Sequence, residues 1–367
     1  MLEESILTNF RGKAVLVTGG TGMIGRQIVD LMARAGASVR IASLDHLQVC
    51  PKAEMIYGDL TDFGFCKRIS QDVDYVFHVA GIGASVKSAK TRIASHLVPM
   101  LQMNTNMLEA CRLAKVHKVL FTSSVGAYAG ADVFRETDYR LDSIPMDFAG
   151  WAKRMAEAQV HAYKVEHGLT GFAVVRPPNV YGPGDNFHPD HALVIPSLMY
   201  RIYHGENPLI VWGDGSCERD FVYSRDVAEG CILALWHGTN NPAGFVNLGS
   251  GRVYTVKELV ETLRGFLDFE YRFDASKPTG VQRRFLDITL ARQTLGYDPT
   301  TTLEQGLRQT WQWFVEHPDE HMKKVCYFEQ KESGMQKPES GSDREAVIPG
   351  LVEGPVTQKQ SRAVHAR

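Results

Sequence analysis

Cysteine is scarce and unpaired in this chain. Its six cysteines (Cys50, Cys66, Cys111, Cys217, Cys231 and Cys326) include no C-x-x-C pair, which removes the spacing of a zinc site and the framework of a disulfide-stapled fold. Isolated thiols fit a reducing compartment, so a cytoplasmic location is expected. Long apolar runs are missing too. No stretch is long enough to span a bilayer, and residues 1–10 are acidic rather than a basic and then apolar leader. Charge of one sign is also lacking. Lys+Arg 40 against Asp+Glu 42 leaves a net charge of −2, with no basic field to recruit nucleic acid or an anionic membrane. No internal repeat is visible, which excludes solenoids and propellers. What is present is ordinary: 44% hydrophobic and 22% charged residues over 367 positions, enough for a large core in one or two domains.

The most informative stretch is Val15-Leu16-Val17-Thr18-Gly19-Gly20-Thr21-Gly22-Met23-Ile24-Gly25. A short apolar run meets a glycine cluster, and an amphipathic segment follows to residue 35. The pattern predicts a buried strand, a tight turn and a helix N-terminus. Gly19 lets the chain turn sharply, Gly22 lets a pyrophosphate approach the backbone, and Gly25 lets helix and strand pack closely. The free N–H groups and positive dipole end of such a helix suit phosphate. A glycine-rich turn without a ligand is the plain alternative.

Strand signals at 14–18, 38–42, 54–57, 75–80, 118–122 and 172–176 alternate with helical ones at 24–35, 98–114 and 151–166. That alternation predicts an α/β fold, a Rossmann-type doubly wound parallel sheet with ligands at the carboxyl ends of the strands. Ser43 ends the second strand, with Asp45 just beyond, where an acid takes the adenosine ribose hydroxyls. No arginine follows to hold a 2′-phosphate, which favours NAD and leaves NADP an open alternative. Asp59 follows the third strand, as an adenine acceptor or a loop-capping acid. His78-Val79-Ala80-Gly81 ends the fourth, where His78 reads as a strand residue rather than a catalyst. Thr122-Ser123-Ser124 ends the fifth, as a hydroxyl donor to substrate or a serine turn. Lys153 opens the helix at 151–166, where a surface lysine is the alternative. Arg176-Pro177-Pro178-Asn179-Val180-Tyr181-Gly182-Pro183-Gly184-Asp185 reads as a shaped loop lining a site.

Beyond residue 187 the order loosens. Helices are expected at 192–204, 226–236, 255–266 and 303–314, and short strands at 209–212 and 220–223. The expected organisation is a cofactor-binding domain at 11–180, to which some elements of 210–250 return, a smaller and mainly substrate-binding mixed domain at 181–320, and a polar, aperiodic, disordered tail at 323–367.

Together these motifs resemble the extended short-chain dehydrogenase/reductases of the NAD-dependent epimerase/dehydratase family that act on nucleotide sugars. The resemblance covers about residues 11–317. Its carriers are the glycine stretch, Gly58-Asp59-Leu60, His78-Val79-Ala80-Gly81, Thr122-Ser123-Ser124, Lys153-Arg154-Met155-Ala156-Glu157 and Arg176-Pro177-Pro178-Asn179-Val180-Tyr181-Gly182-Pro183. The GDP-fucose synthase branch is the most similar, through the segments at 185–189, 194–196, 211–215, 219–221 and 276–280. The resemblance implies cofactor contacts from Gly19, Thr21, Gly22, Met23, Ile24, Gly25, Ser43, Asp59, Leu60, Val79, Ala80, Gly81, Lys153 and Pro177. It implies a nucleotide-sugar substrate held by Ser124, Asn179, Val194, Arg201, Trp212 and Arg219. Arg201, Trp212 and Arg219 would face the diphosphate, where guanidinium groups suit phosphate and an indole can stack or donate. It also implies a homodimer through the helices near 100–114 and 151–166.

The chain departs from that pattern at the proton-transfer positions. The family's tyrosine, four residues before the lysine, is Ala149 here. The branch's cysteine is Gly126, and its acid histidine is Leu193, with His188 and His191 nearby. The dehydratase pair after the hydroxyl residue is Val125-Gly126. The expectation is an NAD-using oxidoreductase or epimerase acting at carbon 4 of a nucleotide sugar. Ser124 would hold the reacting oxygen, Lys153 the nicotinamide ribose, and Tyr128, His188 or water would relay the proton. A catalytically weak, cofactor-bound sensor or scaffold is the rival, and a GDP-fucose synthase-like enzyme a second alternative.

Overall fold

The structure is a computed structural model that describes residues 2–83, 91–140, 142–189, 191–277 and 279–325. The expectations for residues 326–367 lie outside the described residues. Residues up to Cys326 form one compact unit.

Seven parallel strands form the central sheet in the order β12-β7-β5-β4-β1-β2-β3. They are β1 (Ala14–Thr18), β2 (Ser38–Ser43), β3 (Glu54–Tyr57), β4 (Tyr75–His78), β5 (Lys118–Thr122), β7 (Phe172–Arg176) and β12 (Val246–Asn247). β1 is apolar on both faces because both faces are covered. Val15 and Val17 join a core with the helices Met23–Arg34 and Ser224–His237. Leu16 joins the opposite core with Phe63–Ile69, Ile93–Leu113 and Phe148–His167. The order of strands reverses at β1, which pairs with β2 on one side and β4 on the other. In doubly wound sheets such a switch point is where ligands bind, at the carboxyl ends of the strands.

The expected α/β class is therefore observed. The helix Ser224–His237 packs on the sheet and β12 pairs with β7 at its edge. A third core lies around Phe187, Leu198, Leu259, Leu307 and Phe314. It is flanked by short strands: β8 (Asn179–Tyr181) with β11 (Phe221–Tyr223), and β9 (Leu209–Trp212) with β14 (Tyr271–Asp274). A four-stranded sheet runs β13 (Tyr254–Thr255), β10 (Glu218–Arg219), β15 (Arg283–Leu286), β6 (Val133–Phe134). The tail boundary at 323 needs correcting. Glu320–Lys323 is a 3-10 turn, and Lys324 and Val325 are hydrogen-bonded to the glycine-rich end of the sheet. Among the described residues no helix is long and apolar enough to cross a membrane, and all five described cysteines are free.

Candidate active site

The turn after β1 has the geometry its glycines allow. Gly19 has φ +71, and a side-chain carbon there would lie 2.7 Å from the Ala80 Cα. A carbon on Gly25 would lie 2.2 Å from the Gly19 carbonyl oxygen, so only glycine lets Met23–Arg34 start this close to the strand. Gly22 differs: a carbon there would meet only the Gly19 oxygen, at 3.3 Å. It caps the helix without a side-chain bond, as a glycine must, so no side chain satisfies the first helical N–H groups from that position.

Beside this turn, Thr21 Oγ1 donates to Asp45 Oδ2 at 2.6 Å and lies 2.9 Å from Ser43 Oγ. Asp45 thus supplies the carboxylate at the β2 end, and Ser43 positions it by accepting from the Asp45 amide at 3.1 Å. Asp59 spends one oxygen on the Thr61 amide, at 2.8 Å, and the carbonyl of buried Leu60 accepts from Asn106 at 3.1 Å. The segment after Glu320 crosses this end. Arg26 binds the Thr21 carbonyl at 2.9 Å and Glu320 at 2.5 Å, Lys324 donates to the Gly184 carbonyl, and the Val325 amide donates to Asp45 Oδ1 at 2.8 Å. Sequence reasoning missed this strap, because its partners lie some 140 to 290 residues away.

Val79, Ala80 and Gly81 leave the end of β4. Buried His78 lies between Thr18 Oγ1 at 2.7 Å and Asn104 Oδ1 at 3.1 Å. Burial, then the nearby Lys153 charge, push its imidazole down to about 3, so it stays neutral. At the end of β5, Ser124 Oγ accepts from the Gly126 amide at 3.1 Å and is partly exposed, and the Pro177 carbonyl accepts from the Val125 amide at 3.1 Å. Lys153 Nζ donates to the Thr122 carbonyl at 2.7 Å, and a carbon on Gly81 would lie 3.9 Å from it. The lysine is thus buried rather than on the surface, with its ammonium at the ends of β4 and β5.

Tyr128 does not join it. The 3-10 turn Val125–Ala127 carries the tyrosine into the core, where its hydroxyl donates to Asn247 at 2.9 Å and its ring lies against the Arg176 guanidinium. Burial holds its phenol far above the usual range, which removes it as a proton relay. His188 and His191 stack at 5.0 Å in the loop before Leu193.

The expected substrate residues divide. Asn179 donates to the Asp220 carbonyl at 3.2 Å, Val194 opens the helix Val194–Tyr203 on the surface, and Trp212 is 58% exposed. Arg201 is committed to Glu206, at 2.7 Å through Nε, and to the Ile210 carbonyl at 2.6 Å. It is an ion-pair residue and not a free phosphate ligand. Among the described residues Arg219 donates only to backbone carbonyls: Glu218 at 2.8 Å, Thr279 at 3.2 Å and Gln282 at 3.4 Å. In register beside it on β15 stands Arg284, which the sequence reading missed. Burial and the Arg219 charge lower the Arg284 guanidinium while Asp147 draws it back, so the three groups form one neighbourhood. Buried Asp220 braces it by accepting from the Ser250 amide at 2.9 Å and the Leu286 amide at 3.3 Å.

Residues 15–249 match the NAD-dependent epimerase/dehydratase family. The chain is 30% identical to a GDP-L-fucose synthase of Escherichia coli K12 over 327 residues, covering 83% of this chain and 97% of that protein. It is 31% identical to a putative UDP-glucose 4-epimerase of Methanocaldococcus jannaschii over 308 residues, covering 82% and 97%. A solved UDP-glucose 4-epimerase of Thermotoga maritima, with UDP-glucose, superposes with a TM-score of 0.72 at 29% identity, covering 83% and 99%.

The chain belongs to the NAD-dependent epimerase/dehydratase family. It is an enzyme of that family, and the residues present fit the family's cofactor. The open side of Gly22 is a cradle that any side chain would fill, at a helix N-terminus without a side-chain cap. Gly81 leaves room beside Lys153 Nζ. When bound, NAD supplies a hydride acceptor.

Burial lowers the Lys153 ammonium to about 8, with Glu157 opposing the shift. With Lys153 on the nicotinamide ribose, as the resemblance implies, NAD affinity is expected to weaken as pH rises through about 8. Lys153→Arg should flatten that dependence in calorimetric titrations. Stability moves the other way. The unfolded chain keeps this proton to about 10.4. The unfolded state therefore binds more protons between the two values, and resistance to urea should rise with pH across that window.

Proposed function

We propose that this enzyme transfers hydride at carbon 4 of a nucleoside-diphosphate sugar, as an oxidoreductase or 4-epimerase using NAD. The observation that carries the reading is the chain of neighbouring polar groups from the strand ends to the arginine pair. Ser124 and Lys153 stand at the ends of β4 and β5, and Asp147 connects that corner to the arginine pair Arg219 and Arg284. A sugar at Ser124 would place its diphosphate toward two guanidinium groups, with Trp212 exposed for the base. Ser124 binds the reacting oxygen, and Asn179 and Val194 shape the sugar pocket. Lys153 holds the nicotinamide ribose, and Asp45 the adenosine ribose. The relatives named above support the substrate class, one acting on a UDP-sugar and one making a GDP-sugar. A homodimer is part of the proposal. Val98 and Met155, on the helices Ile93–Leu113 and Phe148–His167, are about half exposed.

Mass spectrometry of what copurifies with the protein tests the reading directly. Bound NAD(H) with a nucleotide sugar supports it, and an unrelated ligand in the cleft counts against it. Arg219→Ala is expected to weaken UDP-glucose or GDP-mannose by about 2–5 kcal/mol, the cost of removing one partner of a desolvated charged pair, and to leave NAD unchanged. Arg201→Ala should change neither. Equal loss of both ligands in Arg219→Ala would make Arg219 structural.

Ala149 favours a second reading, a cofactor-bound scaffold with little turnover. An enzyme that transfers no hydride to any nucleotide sugar would be that scaffold. A complete GDP-fucose synthase reaction is not expected. Inverting carbons 3 and 5 needs a positioned base and acid, and Gly126 and surface-exposed Leu193 supply neither.

A further inference from the structure

Ala149 leaves the helix Phe148–His167 without the tyrosine that would move the sugar proton, and Tyr128 is locked in the core. Another group on the same turn faces Ser124. Asp147 is the residue on which this helix starts, held in extended backbone, and its Oδ1 accepts from the Gly150 amide at 2.6 Å. Gly150 is pressed onto the serine turn: a side-chain carbon there would lie 2.0 Å from the Gly126 carbonyl oxygen. The Met146 amide donates to the Gly126 carbonyl at 3.1 Å and the Tyr128 carbonyl at 2.9 Å. Asp147 is thereby fixed beside Ser124 from both sides.

Gly126 shows what lies between them. A side-chain carbon built on it would have three nearest neighbours, all oxygens: Asp147 Oδ1 at 3.4 Å, Ser124 Oγ at 3.5 Å and Asp147 Oδ2 at 3.7 Å. That point lies between the two side chains, a few tenths of an ångström beyond hydrogen-bonding distance from an oxygen of each. Glycine leaves it open where the fucose synthase branch has a cysteine. Asp147 is exposed, Ser124 is partly exposed, and Oδ2 makes no hydrogen bond among the described residues.

We infer that Asp147 is the catalytic proton acceptor and donor for the sugar hydroxyl held by Ser124, in place of the absent tyrosine. The assignment rests on the hydride-transfer reading above. In the oxidising direction the carbon 4 C–H pair leaves as hydride to the nicotinamide of NAD. The O–H bond breaks, its proton passes to the Asp147 carboxylate, and its electron pair becomes the second bond of the carbonyl. In the reducing direction the carboxylic acid returns that proton to the oxygen.

The test compares full-length wild type with Asp147→Asn and Asp147→Ala, using UDP-glucose and GDP-mannose deuterated at carbon 4. Asparagine caps a helix as well as aspartate does, so the thermal midpoint and the calorimetric affinities for NAD and both sugars are expected to hold within about twofold. Hydride transfer should fall by about 10²- to 10⁴-fold. Formate should restore part of the rate in Asp147→Ala and none in Asp147→Asn, whose side chain still fills the space. A merely structural role would not produce that rescue. Should Asp147→Asn misfold, Asp147→Ser keeps a capping oxygen and is expected to show the same kinetic loss. A wild type that transfers hydride and an Asp147→Asn variant that matches it would overturn this assignment alone. A wild type that binds NAD and UDP- and GDP-sugars yet transfers hydride with none of a panel of them would overturn the assignment together with the reading beneath it.

Discussion

Gly22→Val is expected to abolish NAD binding while leaving the ligand-free protein folded, with its thermal midpoint unchanged. Gly22 has φ −75 and ψ 171, a conformation any residue adopts, so valine adds no backbone strain. Its side chain would meet the Gly19 carbonyl oxygen at 3.3 Å and otherwise enter the space where the pyrophosphate belongs. The contrast is Gly25→Ala. There the added carbon falls 2.2 Å from the Gly19 oxygen and 2.7 Å from the Gly20 Cα, both backbone atoms that no rotamer change can move. Overpacking of this kind costs about 1–3 kcal/mol or more, so this variant should lose stability as well as cofactor. Calorimetric titration and thermal melts of the two variants separate the outcomes. Undiminished NAD affinity in Gly22→Val would mean that the dinucleotide does not cross this turn.

Glu157→Ala is expected to be among the most destabilising single changes in the protein, by about 3–5 kcal/mol in urea unfolding. Arg176 is completely buried, and its guanidinium lies 4.1 Å from the centre of the Tyr128 ring and 3.7 Å from that of Phe245. Its counter-charge is Glu157, which accepts from Nε at 2.8 Å and Nη2 at 2.5 Å, and from Ser123 Oγ at 2.5 Å. Removing the carboxylate leaves an arginine charge and a serine hydroxyl buried without their partner. The same carboxylate supports the Lys153 charge, so its loss should also move the pH at which NAD affinity falls below about 8. A cost under about 1 kcal/mol would show that the ion pair is dispensable to the fold.

The sheet was legible because its strands are apolar runs bounded by glycine or polar turns. Residues 14–18, 54–57, 118–122 and 172–176 fall where their side-chain patterns predict. Strand β12 was not legible, since two residues carry no periodicity. The site followed from the same logic. Ligand-facing groups gather at strand ends, and Gly22, Ser124 and Lys153 are there. Tyr128 misled because a single 3-10 turn, which no local pattern announces, swings it into the core. Arg201 misled because its partner Glu206 lies just beyond the same helix, and a charged pair at that spacing can equally be open to ligand. Arg284 and the Lys324–Val325 strap depend on long-range packing. Asp147 carried a signal, an aspartate just ahead of an apolar helix, but that signal announces a cap before it announces chemistry.

The central claim is hydride transfer at carbon 4, and one labelling measurement addresses it most directly. The protein is incubated with NAD and a panel of UDP- and GDP-sugars deuterated at carbon 4, and cofactor and sugar are then read by mass spectrometry and NMR. The account predicts that for at least one sugar the deuterium leaves carbon 4, appearing on the nicotinamide or returning to an inverted carbon 4. Deuterium that stays on carbon 4 of every sugar with its configuration unchanged and none on the nicotinamide, while calorimetry shows both NAD and the sugar bound, would contradict it.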